Sequence, residues 1–163
     1  MGVNSAVNKI KLPVDKKYAV WMLLVQARNA VYKSREKELS EYDLTPEQAG
    51  ALLAVNELGE KATISEIKLL LVREPHSVAI LLNRMLKRGL LVKRKARNLK
   101  KSSVYALTQS GLDAFRNSIK RNSIKRAMSL LSKNELEQLE LYMRKIRNGL
   151  LKQKINEESP QWP

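Results

Sequence analysis

The chain has 163 residues, with 31 Lys or Arg against 16 Asp or Glu, one histidine and no cysteine. That length fits a single domain with extensions, and the absence of cysteine excludes disulfides, thiolate metal sites and cysteine redox chemistry. With His76 as the one imidazole, a Cys/His zinc site, a Ser-His-Asp triad and a Cys-His pair all lack partners.

The net charge of +15 is unevenly placed. Between Arg84 and Arg126 there are 14 Lys or Arg and one acid, Asp113, whereas residues 1–83 carry 11 basic and 10 acidic side chains and residues 127–163 carry 6 and 5. One strongly positive face attracts a polyanion through counterion release, which makes nucleic acid the first partner to consider. A solvated basic face and an anionic membrane surface are the alternatives. The longest uncharged apolar run, Ala19 to Val25, is far too short to span a bilayer. Met1 to Pro13 is polar and lacks the apolar centre of a signal peptide. A soluble, cytoplasmic protein with no membrane partner is expected.

In chain order, Tyr18, Trp21, Val25, Val31, Tyr32 and Leu39 recur at helical intervals, so Asp15 to about Ser40 reads as one long helix with more apolar surface than one face needs. Thr45-Pro46-Glu47-Gln48 opens a second helix with a capping box and a first-turn proline; Gly59 closes it. Its core face is Ala49, Leu52, Leu53 and Leu58. Thr63-Ile64-Ser65-Glu66 repeats the box and starts a short helix carrying Ile67, Leu70 and Leu71. Glu74-Pro75 starts a fourth helix, where the carboxylate suits free amides and the positive end of the dipole. Val78, Leu81, Leu82, Met85 and Leu86 form its buried stripe, and Gly89 ends it.

Two short segments of strand character follow, Leu90 to Lys93 and Ser103 to Leu107, joined by a run from Arg94 to Ser102 that holds five cations. A hairpin with a cationic tip is expected. From Thr108, an amino-terminal cap, a fifth helix is predicted to run toward Leu131, with Leu112, Phe115, Ile119, Ala127 and Leu130 as candidate packing residues. Ser132 and Glu135 make a further capping box. The last helix spaces Leu136, Leu139, Met143, Ile146 and Leu150 by three and four residues, a seam of coiled-coil type.

A short helix, a tight connection, a helix starting at Pro75 and a basic hairpin occur in the order of a winged helix-turn-helix. An α-helix fits the major groove of B-form DNA, and a cationic hairpin beside it reaches phosphates or the minor groove. The groove-facing set would be His76, Ser77, Ile80, Asn83 and Arg84. Arg73, Lys87 and Arg88, with the hairpin cations Arg94, Lys95, Arg97, Lys100 and Lys101, would face phosphates.

These fragments resemble the MarR family of bacterial and archaeal transcription regulators. The resemblance runs from Leu44-Thr45-Pro46-Glu47-Gln48 through Thr63-Ile64-Ser65-Glu66-Ile67 and Pro75-His76-Ser77-Val78. It continues in Asn83-Arg84-Met85, Lys87-Arg88-Gly89-Leu90-Leu91-Val92 and Leu107-Thr108-Gln109-Ser110-Gly111. It implies a homodimer whose amino- and carboxy-terminal helices interlock, two winged domains on successive major grooves, and a small-ligand site between the layers. Two features depart from the family. Val72 and Arg73 stand where it usually has a glycine, with Glu74 in place of a capping serine, and the tip Asn98-Leu99-Lys100-Lys101 has no acid. Arg97, Lys100 and Lys101 therefore compete for the minor-groove role.

The expected fold is mainly α with a small β-hairpin wing. An amino-terminal dimerisation helix would occupy residues 1–42, the winged helix-turn-helix 43–108, carboxy-terminal dimerisation helices 109–155 and a frayed tail 156–163. Leu136, Leu139, Met143, Ile146 and Leu150 are the candidate dimer seam, the other reading being an intramolecular core stripe. Tyr18, Trp21, Tyr32 and Tyr42 are candidates for a pocket for a small aromatic ligand, the other reading being core or dimer interface. No paired carboxylates, glycine-rich phosphate loop or metal-ligand spacing point to an enzyme, and no cofactor is expected. The functional expectation is a homodimeric, sequence-specific regulator of duplex DNA acting as a repressor on a pseudo-palindromic operator and released by a small ligand. The alternative is a structural nucleic-acid binder without sequence readout.

Overall fold

In a computed structural model, which describes residues 15–95 and 103–157 with the side chains of 153–157 excepted, Asp15 starts the first helix. Its carboxylate accepts from the amides of Lys17 and Tyr18 at 2.7 and 3.0 Å, and α1 runs Lys16–Ser40. The chain divides at Arg121/Asn122 into two compact units.

In the first unit α2 spans Pro46–Leu58, and its capping box forms as expected. The Thr45 hydroxyl accepts from the Gln48 amide at 3.3 Å, and the Thr45 amide donates to Gln48 Oε1 at 3.0 Å. Ala49, Ala51 and Ala54 are buried on it beside Leu52 and Val55, and such small residues let neighbouring elements approach closely. A single 3₁₀ turn, Gly59–Lys61, leads to α3, Ile64–Leu71. Here only half of the expected box appears in the cap: the Thr63 hydroxyl accepts from the Glu66 amide at 3.2 Å. Of the apolar residues it carries, Leu70 is 47% exposed. In an eight-residue helix the inward stripe is narrow, and Ile64, Ile67 and Leu71 occupy it.

Helix α4, Pro75–Lys87, follows with Glu74 at its N-cap position in extended backbone and without the side-chain cap hydrogen bond expected there. Val78, Leu82 and Met85 are fully buried and meet Leu39, Leu52 and Ile67, so α1 to α4 close on one core. Burial on this scale is worth about 1.5–3 kcal/mol for each large apolar side chain.

Strands β1 (Leu91–Lys95) and β2 (Ser103–Leu107) pair antiparallel in a register from Leu91↔Leu107 to Lys95↔Ser103. The hairpin is held to the body by β2, where the Tyr105 amide donates to the Ala62 carbonyl at 2.9 Å and the Tyr105 side chain is buried. Burial also raises the Tyr105 hydroxyl above its ordinary pKa. Helix α5, Gln109–Ser118, is capped by the Thr108 hydroxyl, which accepts from the Gly111 amide and donates to the Gly89 carbonyl at 2.6 Å. Gly111 is required by close approach. A Cβ built there would lie 2.0 Å from the Leu90 carbonyl oxygen.

The predicted single helix from Thr108 to Leu131 is broken. α5 ends at Ser118, Arg121 takes a left-handed φ of 55°, and α6 begins at Asn122 and ends at Met128. At the break the Arg35 guanidinium donates to the Ser118 carbonyl, a group that a continuing helix would use as an acceptor. Ile119 and Leu130, expected to pack, are 42% and 85% exposed. The pentapeptide Arg-Asn-Ser-Ile-Lys occurs twice in succession here, at Arg116–Lys120 and Arg121–Lys125. Its first copy ends α5 and its second opens α6.

In the second unit α7, Lys133–Glu157, is preceded by the predicted box. The Ser132 amide and hydroxyl both donate to Glu135 Oε2, at 2.8 and 2.7 Å. Those two bonds hold the Glu135 carboxyl below its ordinary pKa.

Candidate nucleic-acid interface

Helix α4 is sharply two-sided because its apolar residues recur at three and four residues and leave the opposite face polar. On that face His76, Ser77, Ile80, Asn83, Arg84 and Lys87 are all exposed, along a helix about 20 Å long. The structure thus lines up the five proposed groove-facing residues with Lys87 on one exposed stripe. Ile80, 40% exposed, is the apolar residue in its middle.

Beside this stripe, β1 carries Lys93, Arg94 and Lys95 in succession, all exposed. Lys93 was not among the residues singled out from the sequence. Its signal was available, because the cationic run begins one residue before the segment read as the loop. The candidates Arg97, Lys100 and Lys101 lie outside the described residues.

Two of the proposed phosphate contacts have protein partners. Arg88 donates to the Asp43 carbonyl at 2.7 Å, to Asp43 Oδ2 at 2.5 Å and to Gln48 Oε1 at 3.1 Å. It holds the corner between α1 and α2, where Asp43 has a left-handed φ of 52°. Arg73 donates to Glu47 Oε1 at 3.3 Å. The same oxygen accepts from the Tyr32 hydroxyl at 2.7 Å. Glu47 was overlooked in the sequence because it sits inside a capping sequence that accounts for it locally.

The aromatic residues considered for a ligand site are not gathered into one group. Tyr18 and Trp21 form an exposed pair near the start of α1, with ring centroids 5.2 Å apart. Tyr32 lies about 21 Å further along the helix from Tyr18, half-buried, with the Arg28 guanidinium 4.6 Å above its ring. Its hydroxyl pKa is raised, first by the hydrogen bond to the Glu47 carboxylate and then by burial. Tyr42, at the other end of α1, packs on the core and has Lys120 Nζ 3.0 Å from its hydroxyl. On α7 the candidate seam is open in the single chain: Leu136, Ile146 and Leu150 are 39%, 48% and 61% exposed, and Leu139 and Met143 half-buried. No helix among the described residues is long and apolar enough to cross a membrane.

Residues 42–101 match the model of the MarR family. No curated protein matches the chain. Among solved structures it is similar to the organohalide-sensing transcriptional regulator RdhR-CbdbA1625 in its 2,4-dichlorophenol-bound form, at 24% identity and a TM-score of 0.77 over 84% of this chain and 82% of that one. It is similar to MepR of S. aureus in complex with DNA, at 21% identity and a TM-score of 0.72 over 83% and 99% of the two chains. It is also similar to a mutant of MarR from E. coli complexed with operator DNA, at 19% identity and a TM-score of 0.71 over 78% and 93%. The segment of this chain that holds the winged helix-turn-helix is similar to the MarR family over residues 42–101, and the chain as a whole has the fold of these transcriptional regulators.

Proposed function

We propose that this protein is a homodimeric repressor that binds a pseudo-palindromic duplex through α4 and the β1–β2 wing, one winged domain to each half-site. The observation that carries the reading is the exposed stripe of α4 flanked by three successive exposed cations on β1. Asn83 and His76 have the chemistry to pair with base edges, and Arg84, Lys87, Arg94 and Lys95 that to hold the backbone. The MarR mutant and MepR are complexed with DNA in their structures. In this reading, residues 43–108 form the DNA-binding domain, and the helices of 1–42 and 109–155 the dimer.

Dimerisation is supported by the apolar surface that single-chain packing leaves open. Val20, Trp21 and Leu23 on α1 are more than half exposed, as are Leu141, Tyr142 and Leu150 on α7. A second copy covering such surfaces sets the separation of the two recognition helices, and with it the half-site spacing of about one helical turn. RdhR-CbdbA1625 is bound to 2,4-dichlorophenol; a small aromatic ligand that alters this spacing would release DNA here in the same reading. Such a protein works in the compartment that holds the DNA, the cytoplasm in a bacterium or archaeon, and needs no catalytic group or cofactor.

The test is a fluorescence-anisotropy titration across a salt series, on duplex from the protein's own upstream region, on duplex enriched by it from a random pool, and on random duplex of equal length. Preference for the upstream or enriched duplex that survives near-physiological salt is the expected result. Equal affinities that collapse together with salt would instead identify a structural binder without sequence readout.

A further inference from the structure

The turn between α3 and α4 has local backbone bonds and a tie from outside itself. The Arg73 amide donates to the Lys68 carbonyl at 3.0 Å and the Val72 amide to the Leu69 carbonyl at 3.3 Å. That pair of bonds is the helix ending in which the left-handed position normally falls to glycine. Here the position is Val72, at φ 51° and ψ 53°. A β-branched residue disfavours this conformation, so the turn closes against the local preference of its residue.

A contact that reaches it from elsewhere is Arg73 on Glu47, across 26 residues. Arg73 lies two residues before Pro75, where α4 begins with His76 and Ser77 in its first turn. Glu47 is in turn held by the Tyr32 hydroxyl of α1 on the same oxygen. Burial works to raise the Glu47 pKa. The hydrogen bonds from Tyr32, from its own backbone and from Thr45, with the Arg73 charge, outweigh it and hold the carboxyl below its ordinary value.

We propose that Glu47 is a positioning residue for DNA recognition: by holding Tyr32 of α1 and Arg73 of the turn on one carboxylate oxygen, it sets the placement of the amino-terminal end of α4. It follows that Arg73 serves this tie and is not a ligand of DNA phosphate. The inference rests on the reading of α4 as the recognition helix.

The test compares full-length wild type, Glu47→Gln, Arg73→Gln, the double variant and Tyr32→Phe on the enriched and random duplexes across a salt series. Glu47→Gln and Arg73→Gln are each expected to weaken binding to the enriched duplex by about five- to tenfold, with the double variant no worse than either. Affinity for random duplex and the salt slope stay as in wild type. Tyr32→Phe, which removes one hydroxyl, shifts discrimination in the same direction by less. The inference is overturned if Arg73→Gln weakens both duplexes and lowers the salt slope by about one while Glu47→Gln strengthens both, the signature of a phosphate contact. Additive losses, or discrimination untouched by Glu47→Gln or by Tyr32→Phe, overturn it equally. A wild type that discriminates nothing overturns the functional reading as well, which separates the two failures.

Discussion

The guanidinium of Arg35, on α1, donates to the main-chain carbonyl of Ser118, at the end of α5, across 83 residues of sequence. Arg35 is 8% exposed and is also paired with Glu38 at 2.7 Å. Arg35→Ala removes both the ion pair and the bond to the Ser118 carbonyl, and breaking a buried pair costs about 3–5 kcal/mol. Arg35→Ala should therefore lose roughly 3 kcal/mol in urea unfolding, and a loss below about 0.5 kcal/mol, the scale of ordinary surface changes, would refute the assignment.

Val72 should be improvable. Its left-handed backbone costs a valine about 1–2 kcal/mol, and glycine gives back part of that through its greater freedom in the unfolded chain. Val72→Gly is expected to raise stability by about 0.5–1 kcal/mol, seen as a higher urea midpoint at constant slope. A lower midpoint would mean that the side chain contributes packing worth more than the strain.

Gly111 should tolerate no side chain. The clash at 2.0 Å is with backbone, the Leu90 carbonyl, at the point where the first turn of α5 meets the start of the wing. Overpacking typically costs about 1–3 kcal/mol, and a backbone obstacle places Gly111→Ala at the upper end. Circular dichroism melting gives the value, and an unchanged midpoint would contradict the close approach.

The Glu47 carboxyl sets a pH dependence. Its folded pKa lies below the unfolded value, so the stability it adds is fully present above the ordinary glutamate range and is lost as pH falls through the folded pKa. The deficit of Glu47→Gln relative to wild type should be largest near neutrality and shrink below about pH 4.3, as the wild-type carboxyl protonates. Urea midpoints of the two proteins at pH 7 and pH 3 measure this; a gap that stays constant would remove Glu47 ionisation from the account.

Ile80 predicts a thymine in the half-site. An apolar side chain on a helix in the major groove finds its complement in the thymine methyl group. A buried methyl is worth about 0.8 kcal/mol, close to fourfold in affinity. Replacing the thymines of the enriched duplex one at a time by deoxyuridine should reveal one position with that loss in wild type and none in Ile80→Ala. Equal sensitivity of both proteins would assign the methyl to another residue.

Much of the architecture is written locally. Thr45 with Gln48 and Ser132 with Glu135 form capping boxes that span three residues, and both are present as read. The stripe Val78, Leu81, Leu82 and Met85 on α4 is buried as its spacing predicts, which also identifies the opposite, exposed face. β1 runs two residues further than read, through Arg94 and Lys95.

The partners of the charged residues were not legible in the same way. Arg73 and Arg88 look alike in sequence to Arg84, yet the first reaches Glu47 and the second Asp43 and Gln48. Those pairings depend on where α1 and α2 come to lie, which no local pattern states.

The two copies of Arg-Asn-Ser-Ile-Lys mark the boundary between the two kinds of information. Caps, periodicity and charge placement are interactions among residues a turn or two apart, so the sequence by itself determined the order of the elements as far as the start of α5, the exposed face of α4 and the positive charge beside it. The same five residues end one helix at Ser118 and start another at Asn122. Only the tertiary structure decided that, because the two copies differ in their surroundings and not in their residues: in the first, the Ser118 carbonyl accepts from a buried guanidinium 83 residues away.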